Sequence, residues 1–301
     1  MIRENNEQFN IVGANYKQHT PRRKPPSSWQ QIKDKPVVSI VVLTIILLGC
    51  VFAEYIRNHD PAGFYLANLN QVPDEEFYFG TDSLGRDIFS MIWYGGRVSI
   101  IIGLLSMAIM TVIGVIYGCL SGSASAKIDA VMMRVPELVN SIPILLLVLL
   151  LTSITGEQNI IKISFVIGVT GWCALARIVR SEVRQIRSSE YVLASRCMGG
   201  SFLHVMRKHL IPNFVSTIMF VVVSSISLSM SMESTLSFLG LGLPVDVISW
   251  GSMLSLANKA LLLNTWWVII FPGIFLIVTM ICITNIAYYF RKEINKRESI
   301  L

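Results

Sequence analysis

Residues 224–234 read SSISLSMSMES, and within them Ser224, Ser227, Ser231 and Ser234 recur at three- and four-residue spacing, with Ser225 and Ser229 beside them. On a helix this spacing puts the four hydroxyls on one face. Hydroxyls gain nothing from hydrocarbon, so that face must meet protein or water. Glu233 is the one carboxylate in the interior of an apolar run, and intramembrane charge is costly and turned inward. Two readings follow. The serines and Glu233 form a polar wall along which a solute moves, or they pack helices together, with Glu233 tied to a neighbour near the outer interface. Hydrolytic and metal chemistry have nothing to stand on. His204 and His209 are five apart, off the i, i+4 spacing that would pair them on a helix, and neither H-E-x-x-H nor G-x-S-x-G occurs. Cys50, Cys119, Cys173, Cys197 and Cys282 are odd in number and scattered, with no C-x-x-C pair, so they read as small packing residues. No G-x-x-x-x-G-K-[ST] is present either, so no phosphate-cradling loop is expected here. No catalytic residue, metal or bound cofactor is expected on this chain.

The elements that must position these residues are apolar. The hydrophobic fraction is 53% and the mean hydropathy +0.59, against about 45–50% apolar in soluble domains. Six runs approach the roughly 20 residues that cross a bilayer: 37–56, 97–121, 136–154, 160–181, 213–236 and 266–289. All are expected to be helices, because a segment in hydrocarbon must satisfy its own backbone. The fold class is therefore all-α, a polytopic membrane protein with six transmembrane helices. The first run begins behind a long polar tail and reads as a retained anchor, since a cleaved signal would start its apolar region earlier. Gly114, Gly118 and Gly122 give the second run a small-xxx-small stripe for close packing. Pro143 should kink the third, as a hinge or as a packing adaptation.

Lys and Arg crowd alternate connections: the N-terminal tail, Lys127 and Arg134, Arg177 to Lys208, and Arg291 to Arg297. Both termini are therefore expected in the cytoplasm. The 55–96 loop faces outward and is acidic, and the net charge of +6 is a topology signal; no nucleic acid is implied. The chain divides into a cytoplasmic tail (1–36), a first span with an extracytoplasmic loop (37–96), a core (97–290) and a second tail (291–301).

Between the fourth and fifth runs lies EYVLASRCMGGSFLHVMRKHLIPNF, Glu190 to Phe214. A short helix over 189–200 fits, capped by Ser188 or Ser189, with Glu190 in its first turn and Tyr191, Ala194, Ser195 and Arg196 along it. Gly199-Gly200 breaks it, and a basic stretch runs to Pro212. The segment 187–212 is thus either a compact cytoplasmic knob on which another protein docks, or an ordinary interfacial loop.

A resemblance bears on that choice. Ala194, Gly199 and Pro212, with Ile211, match the A-x-x-x-x-G … [IL]-P pattern of the cytoplasmic loop in ABC importer permeases; Leu193 and His209 depart from it. FGTDSLGRDIFSMIWYGGRVSI, Phe79 to Ile100, resembles the segment before the second span in one permease of the oligopeptide, dipeptide and nickel importers. It carries Gly80, Asp82, Gly85, Arg86 and Asp87. Here Asp82 or Ser83 should cap a helix whose Ile88, Phe89, Ile92 and Trp93 lie along the outer membrane surface. MESTLSFLGLGLPVDVISWG and IDAVMMRVPELVNSIPILLL are similar to the family's segments after the fifth span and entering the third. The resemblance implies a type I ABC importer permease-like fold in the cell membrane. It also implies a second homologous permease, two ATPase subunits that use ATP and Mg, an extracytoplasmic solute-binding protein, and a peptide substrate. Nickel or a nickel chelate is the alternative cargo, and an ion-coupled secondary carrier the alternative class.

Overall fold

The computed structural model describes residues 35–199, 211–244 and 246–298. The tail expected over 1–36 lies, but for its last two residues, outside them, as does Gly200. Eleven helices are found among the described residues. They are α1 (Val37–Val51), α2 (Ala53–Ile56), α3 (Ile88–Ser123), α4 (Ala126–Asn140), α5 (Ile144–Thr155), α6 (Ile160–Arg187), α7 (Glu190–Cys197), α8 (Ile211–Phe238), α9 (Trp250–Leu254), α10 (Ala257–Leu262) and α11 (Trp267–Glu298). Ladder pairing among them is limited to one isolated bridge, Thr81 to Asp87.

Among the described residues, four helices are long and apolar enough to cross a membrane: α3, α6, α8 and α11. The pair α4–α5 adds a fifth crossing if taken as one broken span, bent by 85°. The kink expected at Pro143 is present, and it goes as far as a break in the helix expected over 136–154. Pro143 has no N–H to donate and disfavours helical backbone at Ile142, so the chain stops at Asn140 and restarts with Pro143 as the residue before α5. The first run is shorter than expected as one helix. Phe52 interrupts it, although Ile56 N–H still donates to Phe52 O at 3.2 Å. Together α1 and α2 rise about 30 Å at 1.5 Å per residue, enough to span.

A second correction concerns the segment from Ile88. Instead of lying as a separate surface helix, it forms the first turns of α3, a single helix of 36 residues. The Gly95-Gly96 pair, which suggests a break, is a packing device: α3 passes the backbone of Ser249 and the ring of Trp250 there.

Within a bilayer, apolar burial supplies no net drive between helices, so close approach and interhelical hydrogen bonds must hold the bundle. The stripe of Gly114, Gly118 and Gly122 serves this. A Cβ at Gly118 would lie 2.6 Å from the Ala176 carbonyl oxygen of α6, and one at Gly122 would lie 2.9 Å from that of Arg180. At the end where α3 begins, Trp250, Trp267, Ile92 and Met230 form one core; at the other end, Val179, Val183, Val192, Phe214 and Ile218 form a second.

Candidate functional site

Between α3, α5, α6 and α8 lies a cavity of about 590 Å³. Its polar wall comes from Asn140, Thr170, Ser224, Ser225, Ser231 and Thr235, set among apolar residues such as Met110, Ile144 and Leu228; none of the residues lining it is charged. Most of the hydroxyls are spent on their own helix. Thr170 donates to Val166 O at 3.0 Å, Ser225 to Val222 O at 2.7 Å, and Thr235 to Ser231 O at 2.8 Å. Ser224 differs: its buried Oγ has no protein partner among the described residues.

The serine stripe divides between two surroundings. Ser224 and Ser231 line the cavity. Ser227 instead turns to α11 and donates to Met280 O at 3.3 Å. Ser234 lies against Glu233, which is fully buried and accepts from Ser237 at 2.9 Å and Ser249 at 2.8 Å, both on Oε1. A Cβ at Gly251 would come within 2.7 Å of the same oxygen, so the carboxylate seals the contact of α8 with α9. Ser249 also closes a capping box with Ser252, and Trp250 donates from its indole to Ile92 O at 2.9 Å. The α9 turn is thereby fixed into the bundle. Glu233 thus has the tied-neighbour arrangement, and the solute-wall arrangement rests on Ser224 and Ser231.

The segment with Gly80, Asp82, Gly85, Arg86 and Asp87 is a tight knot. Asp82 accepts from the N–H groups of Leu84 at 2.8 Å and Arg86 at 2.9 Å, and its other oxygen takes the Arg86 Nε at 2.8 Å. It closes a turn and is not the helix cap. The cap of α3 is Asp87, which accepts from Phe89 and Ser90 N–H. Asp87 was the better reading because it directly precedes the apolar run, where the first orphan N–H groups lie. Gly85, at φ 76°, places its α-carbon against Tyr65, where a Cβ would lie 2.7 Å from the carbonyl carbon. Gly80 is also left-handed, and Trp267 donates to Thr81 O at 3.0 Å, fastening the loop to α11. Nearby, the Phe77 backbone N–H holds the Asp74 carboxyl below the usual carboxylate range.

At the opposite end, α7 follows α6 after a two-residue turn. Ser188 and Ser189 hydroxyls donate backwards to Gln185 O and Ile186 O, satisfying the carbonyls that end α6. Val192 is fully buried among Val179, Val183, Phe214 and Ile218, so α7 is bolted to α6 and α8, and Ser195 is buried as well. Gly199 is exposed, at φ 84°, with open space where a Cβ would stand. Tyr191, Ala194 and Arg196 lie on α7, and Pro212 is the second residue of α8.

One constellation escaped the sequence reading. Asp129, buried on α4, accepts from the Arg180 Nε and Arg184 guanidinium groups of α6 and from Ser121 of α3. Its signal was a lone carboxylate at the start of an amphipathic helix, facing arginines that the positive-inside rule alone explained.

Apolar helices of spanning length, a buried polar seam and a cavity between helices define a multi-pass membrane protein built around a possible path. Residues 114–296 match the family described as "Binding-protein-dependent transport system inner membrane component", and the chain belongs to that family. It is 36% identical to the dipeptide transport system permease protein DppC of Bacillus subtilis (strain 168), over 84% of this chain and 79% of that one. With the oligopeptide transport system permease protein OppC of the same organism it shares 36% identity, over 81% and 79%. With OppC of Escherichia coli (strain K12) it shares 33%, over 90% and 92%. The fold is similar to a chain in the crystal structure of an amino acid ABC transporter with histidines, with a TM-score of 0.50 and 16% identity, over 67% of this chain and 94% of that one.

Proposed function

We propose that this chain is a permease subunit of an ATP-driven peptide importer, crossing the membrane six times with both termini in the cytoplasm. In this reading α1 with α2 is the first crossing and the α4–α5 pair the third. A second, related permease completes the path, two ATPase subunits drive it, and an extracytoplasmic binding protein delivers the peptide. The peptide cargo is carried over from the names of the dipeptide and oligopeptide permeases reported above.

The observation that carries the proposal is the seating of α7. A short helix anchored through Val192 into the core of α6 and α8, and followed by an exposed Gly199, is arranged to pass a push from outside into two spans. When the ATPases close on ATP, they draw α7 with them. α6 and α8, which wall the cavity, then tilt as a unit and turn it to receive peptide from outside. Hydrolysis and release reset it inward. Packed helices of this kind switch between discrete arrangements and do not deform continuously. Ser224 and Ser231 would offer the moving peptide neutral hydrogen-bonding groups, and the uncharged wall would not hold charged side chains too tightly to leave.

Uptake of labelled di- and oligopeptides into vesicles tests this. The assembled complex with binding protein and ATP should accumulate peptide, and this chain alone should not. Peptide accumulation by the lone chain, or none by the complex, would contradict the reading.

A further inference from the structure

At the α7 end of the bundle, a second cavity of about 440 Å³ opens between the last turns of α3 and α6 and the start of α4. Its walls include Ser125 and Ala126 of the α3–α4 junction, and Arg184, Arg187 and Ser188 at the end of α6. Here the charges do not balance. Arg180 and Arg184 share the single carboxylate of Asp129, and Arg187 spends its donor on the neutral carbonyls of Ser123 at 2.8 Å and Ala124 at 3.1 Å. Two guanidiniums, those of Arg184 and Arg187, line the cavity, and none of its lining residues is acidic. Ser125 precedes α4 without capping it through its side chain, so the first N–H groups of that helix have no side-chain acceptor there.

We propose that this cavity holds the phosphate of an anionic phospholipid headgroup. Guanidinium forks match phosphate oxygens, and the unserved N–H groups add donors to the same space. Exposed apolar residues close by in the sequence favour a lipid over a soluble anion. Leu120, in the last turn of α3, is 50% exposed, and Ile128 and Val131, in the first two turns of α4, are 56% and 70% exposed. A phospholipid would place its head in the basic cavity and leave its chains to the apolar surface of the spanning helices. The location also fits, for α3 and α6 are spanning helices and the cavity lies where both end. In the orientation proposed above this is the cytoplasmic leaflet, where anionic lipids attract basic residues.

The full chain, alone and assembled with its ATPases, is equilibrated with phosphatidylcholine vesicles containing a minority of phosphatidylglycerol. It is then stripped in detergent, and the lipid retained per chain is counted by mass spectrometry. The natural protein should retain phosphatidylglycerol in preference, and Arg187→Gln should lower that preference about fivefold, the worth of one basic residue near an anionic surface. Because Arg187 also ties down the end of α3, Ser125→Glu provides a second arm: it leaves every arginine in place and should lower the preference similarly. Retention unchanged in both variants would overturn the proposal. So would displacement of the lipid by inorganic phosphate, which would make this a soluble-anion site, or its loss on assembly, which would mean that an ATPase fills the cavity.

Discussion

Residue by residue, the serine stripe shows what spacing can and cannot tell. Its four-fold recurrence was plain in the sequence, and so was the need for a polar neighbour. Which neighbour each hydroxyl meets depends on the helices on either side, and these differ across a narrow arc of α8: a cavity at Ser224 and Ser231, α11 at Ser227. A cysteine at Ser231 should therefore react with a water-soluble thiol reagent in the assembled importer, while one at Ser227 stays protected; equal protection of both would assign the whole stripe to packing. Gly85 carries a second prediction. At φ 76°, with the Tyr65 backbone where a Cβ would go, Gly85→Ala should cost about 2 kcal/mol or more from strain and clash together. Thermal unfolding in detergent checks this, and a variant as stable as the parent would mean that the loop is looser than described. Asp87 shows why the cap was misassigned. Three candidate cap residues lie within six positions, and only the tertiary turn closed by Asp82 and Gly85 decides which of them reaches the free N–H groups of α3.

Among the elements, the sequence located the apolar helices well, because length and hydropathy are local properties. The runs at 160–181 and 213–236 fall inside α6 and α8. It placed a kink at Pro143 but not the size of the 85° break there, since proline in a run is compatible with a kink or a stop, and packing chooses between them. Nor could it foresee the clamp between α4 and α6, whose partners are 51 and 55 residues apart in the chain. That clamp makes a testable contribution. Breaking a fully buried ion pair costs about 3–5 kcal/mol, but Arg184 is half-exposed and water would rescue part of the loss. Asp129→Asn should therefore destabilise by about 2 kcal/mol. In a double-mutant cycle with Arg180→Gln, a coupling indistinguishable from zero would show that the geometry carries no energy. Gly118→Ile should act differently, by overpacking. With a Cβ already at 2.6 Å from Ala176 O, α3 and α6 must separate, at a cost of about 1–3 kcal/mol read from the same unfolding assay.

For the whole molecule, the account is mechanical. One end of the bundle is locked by the knot closed by Asp82, α9 and the seal at Glu233; the other carries α7, held to two spans by a single valine-centred core. In the proposed function, motion entering at α7 reaches the cavity through α6 and α8, and Gly199 is where the ATPase approaches. A Cβ at Gly199 would meet none of the described residues within 4 Å, and the backbone strain of a left-handed residue is matched by an alanine control. The direct measurement is ATP-driven peptide uptake by the assembled complex carrying Gly199→Ala or Gly199→Trp. Uptake close to the parent's in the alanine variant, with a loss of about tenfold or more in the tryptophan variant while the complex still hydrolyses ATP, is the predicted result; one tenfold corresponds to about 1.4 kcal/mol of lost coupling. Full uptake with tryptophan at that position would show that nothing grips α7, and the account would fail.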